Sequence, residues 1–166
     1  MIKAIFFDLG DTLIVEDVME DRHLWEVKLQ MVPYVNQVLR ELKNRYKLGI
    51  ITNTDTSREE HVRIALEKIG IEHYFDVIVT SVDVGYEKPD EKIFLTALKK
   101  LGVEASEAVM VGNRISKDIL GANRIGMKSI LYKWNDRYTD KITSNLEEPT
   151  YTINSLEEIL SILSNI

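Results

Sequence analysis

Runs of mainly apolar residues recur along the chain, and stretches with helical period separate them. Residues 2–7 (IKAIFF), 47–52 (KLGIIT), 76–80 (DVIVT), 108–112 (AVMVG) and 128–132 (KSILY) have the continuous apolar character of strands buried on both faces. Residues 150–153 add a weaker sixth. Between them, 33–45 sets Val35, Val38, Leu39 and Leu42 on one stripe, and 57–69 does the same with Val62, Ala65, Leu66 and Ile69. Ser57 and Glu60 have capping-box spacing, and Gly70 stands where a helix-ending glycine belongs. Residues 90–101 stripe Phe94, Ala97, Leu98 and Leu101 and stop at Gly102. A fourth helix is expected over 116–125, and a last one starts at Ser155 with Glu158 as its capping partner. Strands alternating with helices predict an α/β fold with a parallel sheet covered on both faces, because parallel neighbours require crossover connections. Residues 14–32 stand outside the alternation; they are rich in acids and carry Trp25, either core filler or a substrate or dimer contact.

Composition narrows the class. A chain of 166 residues, 45% of them hydrophobic, can bury a core of its own as one domain over 1–166. It has no cysteine, which removes disulfides, thiolate zinc sites and thiol nucleophiles together and fits a reducing compartment. No apolar run approaches the ~20 residues of a membrane span, and the N-terminal run is broken by Asp8, so neither a span nor a signal peptide is expected. The net charge is −6 and the basic residues are interleaved with acids, so the footprint of a nucleic-acid binder is missing. These features lead to the expectation of a cytoplasmic domain.

In an open parallel sheet, ligands bind beyond the carboxyl ends of the strands. The residues that follow the strands here are Asp8-Leu9-Gly10-Asp11, Thr52-Asn53-Thr54-Asp55, the loop to Lys88-Pro89-Asp90, and Gly112-Asn113-Arg114 leading to Asp118. Acids, a hydroxyl, an ammonium and an amide are thus aimed at one edge. Phosphoryl transfer through an aspartyl-phosphate calls for such a set: a carboxylate nucleophile, a divalent cation, and fixed donors for the phosphoryl oxygens. His23, His61 and His73 show no ligand spacing.

Four segments carry a resemblance: FFDLGDTL (6–13), IITNTD (50–55), VGYEKPDEKIF (84–94) and MVGNRISKDILGANRIGM (110–127). In this order the chain resembles the haloacid dehalogenase superfamily of phosphatases and related hydrolases, over about residues 1–132. The resemblance implies a Rossmann-like doubly wound sheet of strand order 3-2-1-4-5, or the same with a sixth edge strand. It implies a Mg2+-dependent phosphomonoester hydrolase with Asp8 as nucleophile and metal ligand and the Gly10 carbonyl as a second ligand. Thr52 and Asn53 would contact the phosphorylated substrate, Lys88 would be the orienting cation, and Asn113 and Asp118 would occupy the metal-binding motif.

Two positions depart from the phosphatase pattern. Gly10 stands where phosphatases usually carry an acid/base aspartate, and Asp11 is either a substitute or a structural residue, since a one-residue shift in an extended segment turns the side chain over. Asn113 replaces the usual aspartate, and the lost charge is expected to weaken metal affinity and slow turnover. A non-catalytic, phospho-ligand-binding protein is therefore the alternative, and a 2-haloacid dehalogenase a weaker one. Asp8 and Thr52 are only 44 positions apart, so 14–32 stands as a short insertion where relatives hold a cap domain. The expected site is open, either to a small or macromolecular phosphorylated substrate or to closure by a second subunit of a homodimer.

Overall fold

The computed structural model describes residues 1–16, 23, 26, 28–138 and 140–166; Trp25 lies outside them. Six strands, β1 (Ala4–Phe7), β2 (Lys47–Thr52), β3 (Val77–Thr80), β4 (Ala108–Gly112), β5 (Lys128–Tyr132) and β6 (Tyr151–Ile153), form one sheet in the order β3-β2-β1-β4-β5-β6. Every neighbouring pair is parallel, the doubly wound arrangement with the sixth edge strand. The helices are α1 (Val35–Lys43), α2 (Glu59–Lys68), the single turn α3 (Ser81–Val84), α4 (Glu91–Leu101), α5 (Leu120–Ile125) and α6 (Glu158–Ser164).

Side-chain alternation along β1 divides the core. Ile5 and Phe7 pack with residues of α1, α2 and α6, whereas Ala4 and Phe6 pack with α4 and α5. Both phenylalanines are fully buried, each worth about 1.5–3 kcal/mol of transfer free energy. Gly49 in β2 makes room for one of them: a Cβ there would lie 2.7 Å from the Phe6 ring. β1 is therefore closely packed on both faces where it delivers Asp8.

Local details depart from the expected pattern in two helices. Ser57 does not cap α2. Its carbonyl accepts a hydrogen bond from the Thr54 hydroxyl at 2.7 Å, and the capping position falls to Arg58, whose N–H donates to His61 Nδ1 at 3.0 Å. Asp83, in the single turn α3 after β3, accepts from the Glu59 N–H at 2.8 Å, so a distant element satisfies a donor the helix cannot. The helix expected over 116–125 opens with a wider π-type turn, Ile115–Ile119, before α5 begins. The Glu158 carboxylate accepts the Ser155 N–H at 2.9 Å, as its spacing predicts.

Residues 8–34 join β1 to α1, too short a connection for a full cap domain. Its described ends close on each other. Val15 donates to the Gln30 carbonyl at 2.8 Å, Val32 to that of Leu13 at 2.9 Å, and Ile14 pairs antiparallel with Met31. Among the described residues no helix is long and apolar enough to cross a membrane.

Candidate active site

Crossovers from β1 run to β2 and β3, and the chain then returns past β1 to form β4, so the strand order reverses between β1 and β4. The crevice at their carboxyl ends is where such a sheet opens a ligand site. Asp8 stands at this point, its N–H donating to the Val111 carbonyl at 2.9 Å, and a cleft of about 130 Å³ opens over it. Asp8, Gly10, Thr52, Asn53, Lys88 and Asn113 all line that cleft. The structure thus brings together six of the seven residues singled out from sequence.

Lys88 is the hub. Its ammonium donates to Asp8 Oδ1 at 2.8 Å, to Asp118 Oδ1 at 2.6 Å and to the Ile51 carbonyl at 2.8 Å, which uses all three of its protons. The side chain is 2% exposed. Burial alone would lower its pKa, but the Asp118 and Asp8 carboxylates outweigh that and hold it above the ordinary lysine value. Asn53 fixes the loop on which Lys88 rides: its amide oxygen accepts the Lys88 N–H at 2.7 Å, and its NH2 donates to the Lys88 carbonyl at 3.1 Å. Both ends of the Asn53 amide are therefore engaged by the backbone of Lys88. The Thr52 hydroxyl lies 3.5 Å from its nearest acceptor, the Asn53 carbonyl, a distance at which little hydrogen bonding is left. It is available to a ligand.

Asp118 is the seventh residue, and it lies beneath the cleft rather than along it. Fully buried, it meets Lys88 with Oδ1 and accepts the Arg114 N–H at 3.0 Å with Oδ2. Burial and the nearby Asp8 charge push its carboxyl up to about 6, against the opposing pull of Lys88. Gly112 makes this packing feasible, because a Cβ there would sit 2.3 Å from the Asp118 Cγ. Asp11 is turned away from the cleft. Its buried carboxylate pairs with Arg137 Nε and accepts the Glu16 N–H at 2.9 Å, and its backbone takes a left-handed φ of 54°. It braces the loop.

The donors that could hold a divalent cation are hard oxygens. In the orientation that satisfies its neighbours, the Asn113 NH2 donates to Asp8 Oδ2 at 2.9 Å and to the Gly10 carbonyl at 3.3 Å. One small group thus reaches two oxygens that a cation would also reach. Among the described residues no three His, Cys, Asp or Glu side chains cluster as a metal site, so any cation here relies on two carboxylates and neutral oxygens. That set fits Mg2+, which keeps several waters and binds through one or two carboxylates plus substrate phosphate. Asn113 would have to turn its oxygen inward to join it.

The cleft also holds residues that the sequence did not single out: Glu16, Arg114, Lys117 and Tyr138. Arg114 and Lys117 lie inside a motif already noted, so their positive charges were in view. Tyr138 follows β5 in a segment without periodicity, and its hydroxyl donates to Glu16 Oε2 at 2.8 Å across 122 positions. No local signal announces that pairing.

Comparisons with known proteins agree with this geometry. The model of the haloacid dehalogenase-like hydrolases matches residues 5–132. The chain is 33% identical over 158 residues to the glyceraldehyde 3-phosphate phosphatase of Methanothermobacter thermautotrophicus, covering 95% of this chain and 68% of that protein. It is 37% identical over 125 residues to the ribulose-1,5-bisphosphate 5-phosphatase of Halopiger xanaduensis, covering 74% of this chain and 50% of that one. The crystal structure of a HAD phosphatase from Thermococcus onnurineus superposes with a TM-score of 0.79 at 28% identity, over 98% of both chains. The strand order, the lysine-bridged aspartates at its reversal and these matches agree, and the chain belongs to the haloacid dehalogenase-like hydrolases, as a phosphatase-like member.

Proposed function

We propose that the protein is a Mg2+-dependent phosphomonoester hydrolase that works through a phosphorylated Asp8. The observation that carries this reading is Asp8 itself, held by Lys88 at the strand-order reversal and facing a polar cleft. With Lys88 on Oδ1, the remaining lone pairs of Asp8 are the nucleophile for a phosphorus atom entering the cleft. Thr52 presents an uncommitted hydroxyl to the phosphoryl oxygens, while Lys88, held in place by Asn53, keeps its positive charge beside Asp8. Arg114 and Lys117 add positive charge at the rim. Asp8, the Gly10 carbonyl, Asn113 and Asp118 would hold Mg2+, which when bound neutralises charge on the phosphoryl group. The names of the relatives direct attention to small phosphorylated sugars and trioses. Asn113 and Tyr138 also line an adjoining cleft of about 220 Å³, which gives the alcohol part of such an ester a place to lie. The insertion over 14–32 is nineteen residues long, too few for a cap domain, which supports macromolecular phosphoesters as a further substrate class.

The test is phosphate release from p-nitrophenyl phosphate and a panel of phosphoesters, with and without EDTA, for the wild type and Asp8→Asn. Release that requires Mg2+ and disappears with Asp8→Asn is expected. No Mg2+-dependent release across the panel overturns the reading. A second reading, phosphate binding without turnover, has one observation in its favour: the Asn113 NH2 already bonds the two oxygens that a cation would use. Beryllofluoride binding without turnover supports it. The dehalogenase reading loses ground because charged side chains line the cleft.

A further inference from the structure

Cleavage of a phosphate ester through Asp8 leaves an alkoxide that needs a proton, and hydrolysis of the acyl phosphate needs a water that loses one. Lys88 has spent its protons on Asp8, Asp118 and the Ile51 carbonyl. Asp118 is buried beneath Lys88, and Asp11 points away into its pair with Arg137. Of the residues that line the cleft, the carboxylates are Asp8 and Glu16.

Glu16 is brought there by the fold of the loop. The Asp11 carboxylate accepts the Glu16 N–H at 2.9 Å, and the Ile14 N–H returns to the Leu9 carbonyl at 3.1 Å, so the chain doubles back over its own start. The side chain of Glu16 then lies along the side of Gly10 where a side chain would project. A Cβ placed on Gly10 would meet Glu16 Cδ at 3.3 Å, Cγ at 3.4 Å and Cβ at 3.5 Å. Any residue larger than glycine at position 10 would crowd it. The Tyr138 hydroxyl holds Oε2 at 2.8 Å, and the Arg114 guanidinium stacks over the Tyr138 ring at 4.0 Å. Oε1 accepts no hydrogen bond among the described residues and is left for a ligand.

We propose that Glu16 is the general acid and general base of the reaction, supplying across the loop the carboxyl that position 10 lacks. The proposal rests on the aspartyl-phosphate reading above. In the first step Asp8 bonds to phosphorus, the bond from phosphorus to the ester oxygen breaks, and the Glu16 carboxyl gives its proton to that oxygen, releasing the alcohol. In the second step the Glu16 carboxylate takes a proton from water, the water oxygen bonds to phosphorus, and the bond to Asp8 breaks. Phosphate leaves, Asp8 is regenerated and Glu16 is protonated again.

Glu16→Gln keeps size and shape and removes the proton. It is tested with an alkyl phosphate, whose leaving group needs protonation, and with p-nitrophenyl phosphate, whose leaving group does not. The expected result is a fall in kcat/KM of about 100-fold or more for the alkyl ester, the low end of a general acid's contribution, and of less than about tenfold for the aryl ester. The aryl ester should also show a burst of p-nitrophenol equal to the enzyme present, because the second step has lost its base. Equal losses for the two esters, or activity within about twofold of wild type for both, overturn the proposal while Asp8→Asn remains inactive and the hydrolase reading stands. Phosphate release that survives Asp8→Asn removes the nucleophile and this proposal with it.

Discussion

Replacing Lys88 by methionine removes a charge at nearly constant length and leaves two carboxylates facing each other. Asp118 has no exposure and Asp8 little, 0% and 13% for their side chains, so water cannot take over the role of the ammonium. Breaking a buried ion pair from one side costs about 3–5 kcal/mol, a large share of the 5–15 kcal/mol that holds a typical domain folded. With a urea m-value of about 2 kcal/mol/M, the midpoint should fall by about 2 M. The loss should also depend on pH in a definite direction. Asp118 is pushed up to about 6 even with Lys88 present; without it, Asp118 holds its proton still more tightly in the folded state than in the unfolded chain, where a carboxyl titrates near 4. The folded state then binds more protons, and the variant's stability falls as pH rises from about 4 through 7. Urea titrations in EDTA at pH 5 and pH 8, followed by far-UV circular dichroism, measure both effects. Lys88→Met/Asp118→Asn should recover about 2 kcal/mol relative to the sum of the single losses, within the range of coupled neighbours. A loss below about 1 kcal/mol, a loss equal at the two pH values, or strict additivity would refute the claim that Lys88 neutralises these carboxylates.

Other outcomes follow from the same geometry. Gly112→Ala places a methyl group 2.3 Å from the Asp118 Cγ, so Asp118 must leave Lys88; phosphate release should fall at least tenfold and stability by about 1–3 kcal/mol, both measurable on one purified sample. Gly121→Ala is the contrasting case: its methyl group would lie 2.1 Å from Phe94 Cε2, between α4 and α5 and away from the cleft. It should cost a similar 1–3 kcal/mol by urea titration and leave kcat near wild type at 25 °C. Asn113→Asp adds a carboxylate beside Asp8 and the Gly10 carbonyl, and isothermal titration should show Mg2+ binding tightened by about tenfold, of the order expected when ligand charge sets affinity.

The sheet was legible because its strands are buried on both faces and so read as unbroken apolar runs. Those over 47–52, 108–112 and 128–132 coincide with β2, β4 and β5 to the residue. Site residues at strand ends were legible for the same reason: Asp8, Thr52 and Asn113 follow directly from where a strand stops. Less legible was whatever depends on one loop meeting another. Ser57 has the spacing of a cap, but the Thr54 hydroxyl and Asp83 decide the start of α2. Asp11 pairs with Arg137 across 126 positions, which turns a candidate acid into a brace. Glu16 lines the cleft where that same aspartate holds its N–H and the distant Tyr138 holds its carboxylate. Spacing within a motif carries no trace of such a closure.

The central claim is that Asp8 becomes phosphorylated, and one measurement bears on it without passing through turnover. Wild-type protein mixed with Mg2+ and p-nitrophenyl phosphate is quenched within a turnover and treated with borohydride, which reduces an acyl phosphate to an alcohol, and the digest is read by mass spectrometry. Homoserine at position 8, absent when substrate is omitted and absent from Asp8→Asn, is the predicted result. Sustained phosphate release with residue 8 recovered only as unmodified aspartate, together with activity in Asp8→Asn, would contradict the account.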